Sequence, residues 1–120
     1  MYCDFENWLD SLLSEIGQPQ GLAFNFNLYE RYDSEYIDVQ LIAAKKYDPQ
    51  NDDWACDPCY SSGEKLFSFS ACDWIDAMQT FRSLIEEYLK VGLYTGTLKS
   101  GQAITFGFVD GDLEVVWNNQ

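Results

Sequence analysis

Between Tyr47 and Glu64 the chain reads YDPQNDDWACDPCYSSGE, a stretch with five carboxylates and no base. Its two prolines and one glycine mark it as a loop, long for so short a chain, and long loops in small domains are often functional. Within it Tyr47, Trp54 and Tyr60 are interleaved with Asp48, Asp52, Asp53, Asp57 and Glu64. Aromatic rings supply area that is desolvated on contact, and carboxylates of one sign steer a cationic surface. The composition is therefore that of a protein-binding surface. Asp48, Asp52, Asp53, Trp54, Asp57, Tyr60 and Glu64 are the expected partner-binding residues. Trp54 has a second reading of nearly equal weight: it folds back as a lid on the core while the carboxylates around it face outward.

The same loop holds Cys56-Asp57-Pro58-Cys59 behind Trp54-Ala55, which resembles the Trp-Cys-Gly-Pro-Cys centre of thioredoxins. That chemistry needs a strand before the motif, a helix starting at the second cysteine and a later cis-proline. Here Tyr60-Ser61-Ser62-Gly63 follows, and Pro58 is the last proline. Cys3 and Cys72 bring the count to four, but only one closely spaced couple exists where an all-cysteine zinc site uses two. Free thiols, a Cys56–Cys59 disulfide and a zinc site stay open, with free thiols the natural state of an intracellular chain. No cofactor and no metal is expected.

Histidine is absent, which removes His-based triads, His acid–base catalysis and His metal sites. Neither a P-loop nor a dinucleotide fingerprint fits onto the eight glycines. Carboxylate pairs such as Asp52-Asp53, Glu86-Glu87 and Asp110/Asp112 are unremarkable among twenty acids. Asp110-Gly111-Asp112 lacks the closing glutamate of a calcium loop and has a sufficient cause as a turn. No catalytic residue is assigned, and the expectation is a protein that is not an enzyme.

Seven bases against twenty acids leave a net charge of −13. That field repels phosphate backbones and anionic headgroups and attracts basic protein faces, so nucleic-acid and membrane binding are disfavoured and a basic protein partner is favoured. The start, Met1-Tyr2-Cys3-Asp4-Phe5-Glu6, has no secretory pattern, and no apolar run reaches the roughly 20 residues of a bilayer span. A cytoplasmic location is the default expectation.

The elements that must position these residues follow from periodicity. With 47% hydrophobic and 17% aromatic residues, the 120-residue chain should form one packed domain over residues 1–120. Phe5, Trp8, Leu9, Leu12, Leu13 and Ile16 fall on one helical face, with Asp4 as the expected N-cap and Gly17 and Pro19 as the stop. Leu22, Phe24, Phe26 and Leu28 alternate as a strand. After a polar turn over 31–35, Ile37, Val39 and Leu41 form a second, antiparallel one. Phe67 and Phe69 mark a short strand. Asp73 caps a second helix whose expected stripe is Trp74, Ile75, Met78, Phe81, Ile85, Tyr88 and Leu89, ending near Gly92. Asp110-Gly111 predicts a two-residue type I′ hairpin that pairs Phe108 with Leu113, Phe106 with Val115 and Ile104 with Trp117. The fold class is α+β: an antiparallel sheet of about five strands packed against two helices, in the order α-β-β-(loop)-β-α-β-β.

From Tyr47-Asp48 through Asp53-Trp54-Ala55-Cys56-Asp57, and again at Gly107-Phe108-Val109-Asp110-Gly111-Asp112, the chain resembles the small acidic immunity proteins encoded beside bacterial polymorphic and contact-dependent growth inhibition toxins. The resemblance covers these stretches and the architecture. It implies a cytoplasmic protein that neutralises a cognate toxin domain, often a nuclease with a basic cleft, by forming a stoichiometric complex. Contact residues vary widely among immunity proteins, so none is carried over. Two other classes stand beside it. An acidic regulatory or scaffold-binding module would be favoured by a gene neighbourhood without a toxin, and a zinc- or thiol-dependent protein by metal analysis and thiol titration.

Overall fold

A computed structural model describes residues 1–17, 21–32 and 34–119. Helix α1 spans Tyr2–Ile16 and stops at Gly17, whose φ of 82° suits a residue without a side chain. It starts ahead of the expected cap: Met1 is the N-cap and Asp4 sits in the first turn, where its carboxylate faces the positive end of the helix dipole. Pro19 and Asp33, expected in the helix stop and the first turn, lie outside the described residues. Strands β1 (Ala23–Glu30) and β2 (Tyr36–Ala44) pair antiparallel, with Phe26 opposite Leu41 and Leu28 opposite Val39. The apolar set of each strand therefore lies on one face, as its alternation requires.

Two short strands share the outer edge of β2. Strand β3 (Tyr60–Ser61) pairs with Ile42 and Ala43, and β4 (Phe67–Ser70) runs along Tyr36–Val39. Helix α2 (Trp74–Val91) then carries the chain across the sheet to β5 (Ala103–Phe108), after a short helix α3 (Thr95–Lys99), and β6 (Glu114–Asn118) closes the far edge. The strand order is β3-β2-β1-β5-β6, with β4 also on β2.

The purely antiparallel expectation fails at the centre, because β5 lies parallel to β1, with Phe26 opposite Phe106. The cause is α2. A helix between two strands of one sheet is a crossover, which returns the chain in its original direction. The sheet is mixed and the class remains α+β.

Phe24, Phe26, Leu28, Val39, Leu41, Ile104 and Phe106 face α1 and α2 in one buried core. Phe5 of α1 sits at its centre, with its ring 5.3 Å from Phe67 and 5.5 Å from Phe81 in edge-on geometry. Tyr88 of α2 is fully buried and donates its hydroxyl to Asp10 at 2.6 Å, tying the two helices together. Burial, then the bond to Asp10, pushes this phenol well above its ordinary pKa.

The expected α2 stripe holds from Met78 onward, since Phe81, Ile85 and Tyr88 are buried and Met78 and Leu89 pack against the core. It fails at the start: Trp74 and Ile75 are 61% and 50% exposed. Asp73 does cap the helix, accepting from the Asp76 N–H at 2.8 Å.

The last hairpin also departs from expectation. Ile104 pairs with Trp117 as predicted, but a β-bulge follows, so Thr105 faces Val115 and Phe106 faces Glu114. One extra residue on β6 inverts which side chains point where, leaving Val115 43% exposed while Phe106 and Phe108 stay in the core. Gly111 does not adopt the positive φ of a type I′ turn. Its N–H donates to the Phe108 carbonyl at 3.0 Å, and residues 109–113 form a wider connection. This tip bends over Gly107, where an added Cβ would lie 2.7 Å from the Asp112 carbonyl oxygen.

Candidate functional site

The sheet face away from the helices is where the long loop closes. Ala23 and Ala44 leave a shallow apolar corner there, and Trp54 fills it, only 8% exposed. Tyr47 packs edge-on to the Trp54 ring, with centroids 5.2 Å apart at 79°. Trp54 is thus a lid on this corner. An indole this buried in the unbound protein offers little surface to a partner.

Local chemistry builds the lid. Asp48 accepts from the Gln50 N–H at 2.9 Å, and Asn51 caps the short 3-10 helix Asp52–Cys56 by accepting from the Asp53 N–H at 3.0 Å. Further bonds fasten the loop and the residue leading into it to β2 and to the segments flanking β5. The Cys59 N–H donates to the Ala43 carbonyl at 2.8 Å, Gln102 Nε2 donates to the Lys45 carbonyl at 2.9 Å, and the Leu113 N–H donates to Asp52 at 3.1 Å. Asp52 is thus committed to the tip of the last hairpin.

Beside the lid the sheet carries a row of amides rather than an open apolar surface. Thr105 donates to Asn25 Oδ1 at 2.9 Å, Asn25 donates to Asn27 Oδ1 at 2.6 Å, and Tyr29 donates to Gln40 Oε1 at 3.0 Å. Asn25, on the face opposite Phe24 and Phe26, is fully buried, and this network satisfies it. Further along the face Asp38 accepts from Arg31 at 2.7 Å, and that bond, with one from Ser68, holds the carboxyl below its usual range against the opposing effect of partial burial.

The predicted partner-binding residues are not brought together as one patch. Asp48, Asp53 and Asp57 line an open groove of about 900 Å³ next to Trp54, with Tyr47 as part of its wall. Burial, followed by the nearby Asp52 and Asp48 charges, raises the Tyr47 phenol. Tyr60 packs instead against the helix-side core, where burial followed by the Glu15 charge raises its phenol. Glu64 is exposed in the turn after β3, next to Lys65, whose ammonium pairs with Glu15 at 2.8 Å. The loop therefore wraps the outer edge of β2, with one half on each face of the sheet. The groove also contains Lys45 and Lys46, which directly precede the acidic stretch. Their ammonium groups offset part of its field. Only the fold shows this, because the turn after β2 brings them back beside Asp53 and Asp57.

Cys3, Cys56, Cys59 and Cys72 are free and exposed, and among the described residues no group of three or more Cys, Asp or Glu side chains is placed to hold a metal ion. No helix among the described residues is long and apolar enough to cross a membrane. Comparison of the chain with protein-family models, curated proteins and solved structures finds no match in any of the three.

Proposed function

We propose that this chain is a binding protein of the immunity type, which neutralises a cognate bacterial toxin domain in the cytoplasm by forming a stoichiometric complex through its acidic surface, and that it has no catalytic activity of its own. The observation that carries this reading is the surplus of carboxylate at the surface. Twenty acids face seven bases, and Arg31, Lys65 and Arg82 among those bases are already engaged with Asp38, Glu15 and Glu114. A field of that sign is complementary to a cationic cleft such as a nuclease uses to hold phosphates. Asp53 and Asp57 present it from a loop fixed by its own hydrogen bonds, so little ordering is needed on contact.

Co-expression with the product of the gene immediately upstream tests the proposal. We expect growth to be rescued from that product's toxicity, and the two chains to co-elute in equal amounts. Unrelieved toxicity with this chain folded and abundant would refute the pairing. A turnover abolished by changing a single carboxylate, with folding intact, would refute the absence of catalysis.

A further inference from the structure

The start of α2 carries a feature that the acidic loop does not: an exposed aromatic ring beside carboxylates, with no base among the described residues that line the same cavity. A groove of about 320 Å³ runs between the β1–β2 hairpin and the residues leading into α2. Ile37 and Ala71 contribute apolar surface, Trp74 forms a wall, and Glu30, Glu35 and Asp73 supply three carboxylates. Trp74 is 61% exposed, although it opens a helix whose later apolar residues are buried.

We propose that this groove is the anchoring site for an arginine or lysine side chain of the basic partner, an inference that rests on the reading of the chain as a binder of basic proteins. A guanidinium stacks on an indole face while its N–H groups reach carboxylates beside it, and Trp is the ring that favours this contact most. The walls are held in advance. The Ala71 N–H donates to the Glu35 carbonyl at 2.8 Å, and Asp76 accepts from the Cys72 N–H at 2.9 Å while its own N–H is capped by Asp73. The positive end of α2, equivalent to about half a charge, is answered there by the full charges of Asp73 and Asp76. Arg31, in the same hairpin, is turned onto the other face of the sheet, where it pairs with Asp38 and lies over the Tyr36 ring.

The loop groove compares poorly as a cation anchor, because Lys45 and Lys46 stand in it and its tryptophan is buried. A second copy of the chain is a poor occupant as well, since each copy carries a net charge of −13.

The test is an amide and indole NMR titration of the full ¹⁵N-labelled chain with a capped tri-arginine peptide, and with a tri-glutamate peptide as control. We expect saturable shifts from tri-arginine alone, centred on the Trp74 indole and the amides of Glu35, Cys72 and Ile75. Trp74→Ala should weaken binding about tenfold, the size of one interface anchor. The exposed pair Glu30→Gln/Glu35→Gln should weaken it about fivefold at low salt, and the difference should shrink near 0.3 M salt, where the screening length is roughly 6 Å. Unchanged melting temperatures would show that both variants are folded. Saturable shifts centred on Asp53 and Asp57 with Trp74 silent would overturn the groove and leave the basic-partner reading standing. The absence of saturable shifts anywhere would overturn both. Trp74 shifts that depend on protein concentration without peptide would identify a second copy as the occupant and overturn the proposal.

Discussion

Replacing Phe5 with alanine should cost about 4 kcal/mol, a large share of the roughly 5–15 kcal/mol that holds a domain of this size together. The ring is fully buried where α1, the sheet and α2 meet, with edge-on contacts to Phe67, Phe81 and Tyr88 and a tilted contact to Phe26. Its removal leaves a cavity that three separate elements would have to move to fill, and close-packed interiors relax only in part. Thermal unfolding should shift down by on the order of 15 °C. Phe5→Leu, which keeps much of the volume, should lose less than half as much. A Phe5→Ala protein within about 1 kcal/mol of the parent would mean that α1 does not dock as described.

The second large effect is expected at Trp54. Because its ring closes the apolar corner over Ala23 and Ala44, Trp54→Ala should cost about 3 kcal/mol in denaturant unfolding and release the loop that carries Asp53 and Asp57. An interface anchor would behave differently, with unchanged stability and faster dissociation from the partner. Trp74→Ala is the natural comparison. That ring is mostly in water, so its loss should change stability by no more than about 0.5 kcal/mol. If Trp54→Ala leaves stability intact, the loop is not the lid described here.

Alternation located β1 and β2 and their shared face because a side-chain period of two is visible in a single strand. Strand direction leaves no trace in that period, so β5 looks the same whether it runs with β1 or against it. The informative signal was the α2 segment between β4 and β5, which implies a crossover. Asp110-Gly111 pointed correctly to a reversal. Its register was displaced by the bulge in β6 and by the close approach over Gly107, neither of which the dipeptide encodes.

The candidate site was legible in composition and not in placement. Five acids among aromatics can be counted in the loop, but Trp54 is buried because Ala23 and Ala44, distant in the chain, make room for it. Conversely, Trp74 and Ile75 fit a helical apolar stripe, yet they stand at the first turn of α2, where 61% and 50% of their surfaces remain open. Periodicity shows which side of a helix is apolar. It does not show how far along the helix the sheet extends.

The most direct test of the acidic-binder account is the association rate of this chain with the upstream gene's product, measured by stopped flow between roughly 20 and 300 mM salt, a range over which the screening length falls several-fold. The account predicts a rate that falls by about tenfold or more across that range, and a shallower fall for Asp53→Asn/Asp57→Asn. A rate unchanged across the range in both the parent and the variant would contradict it.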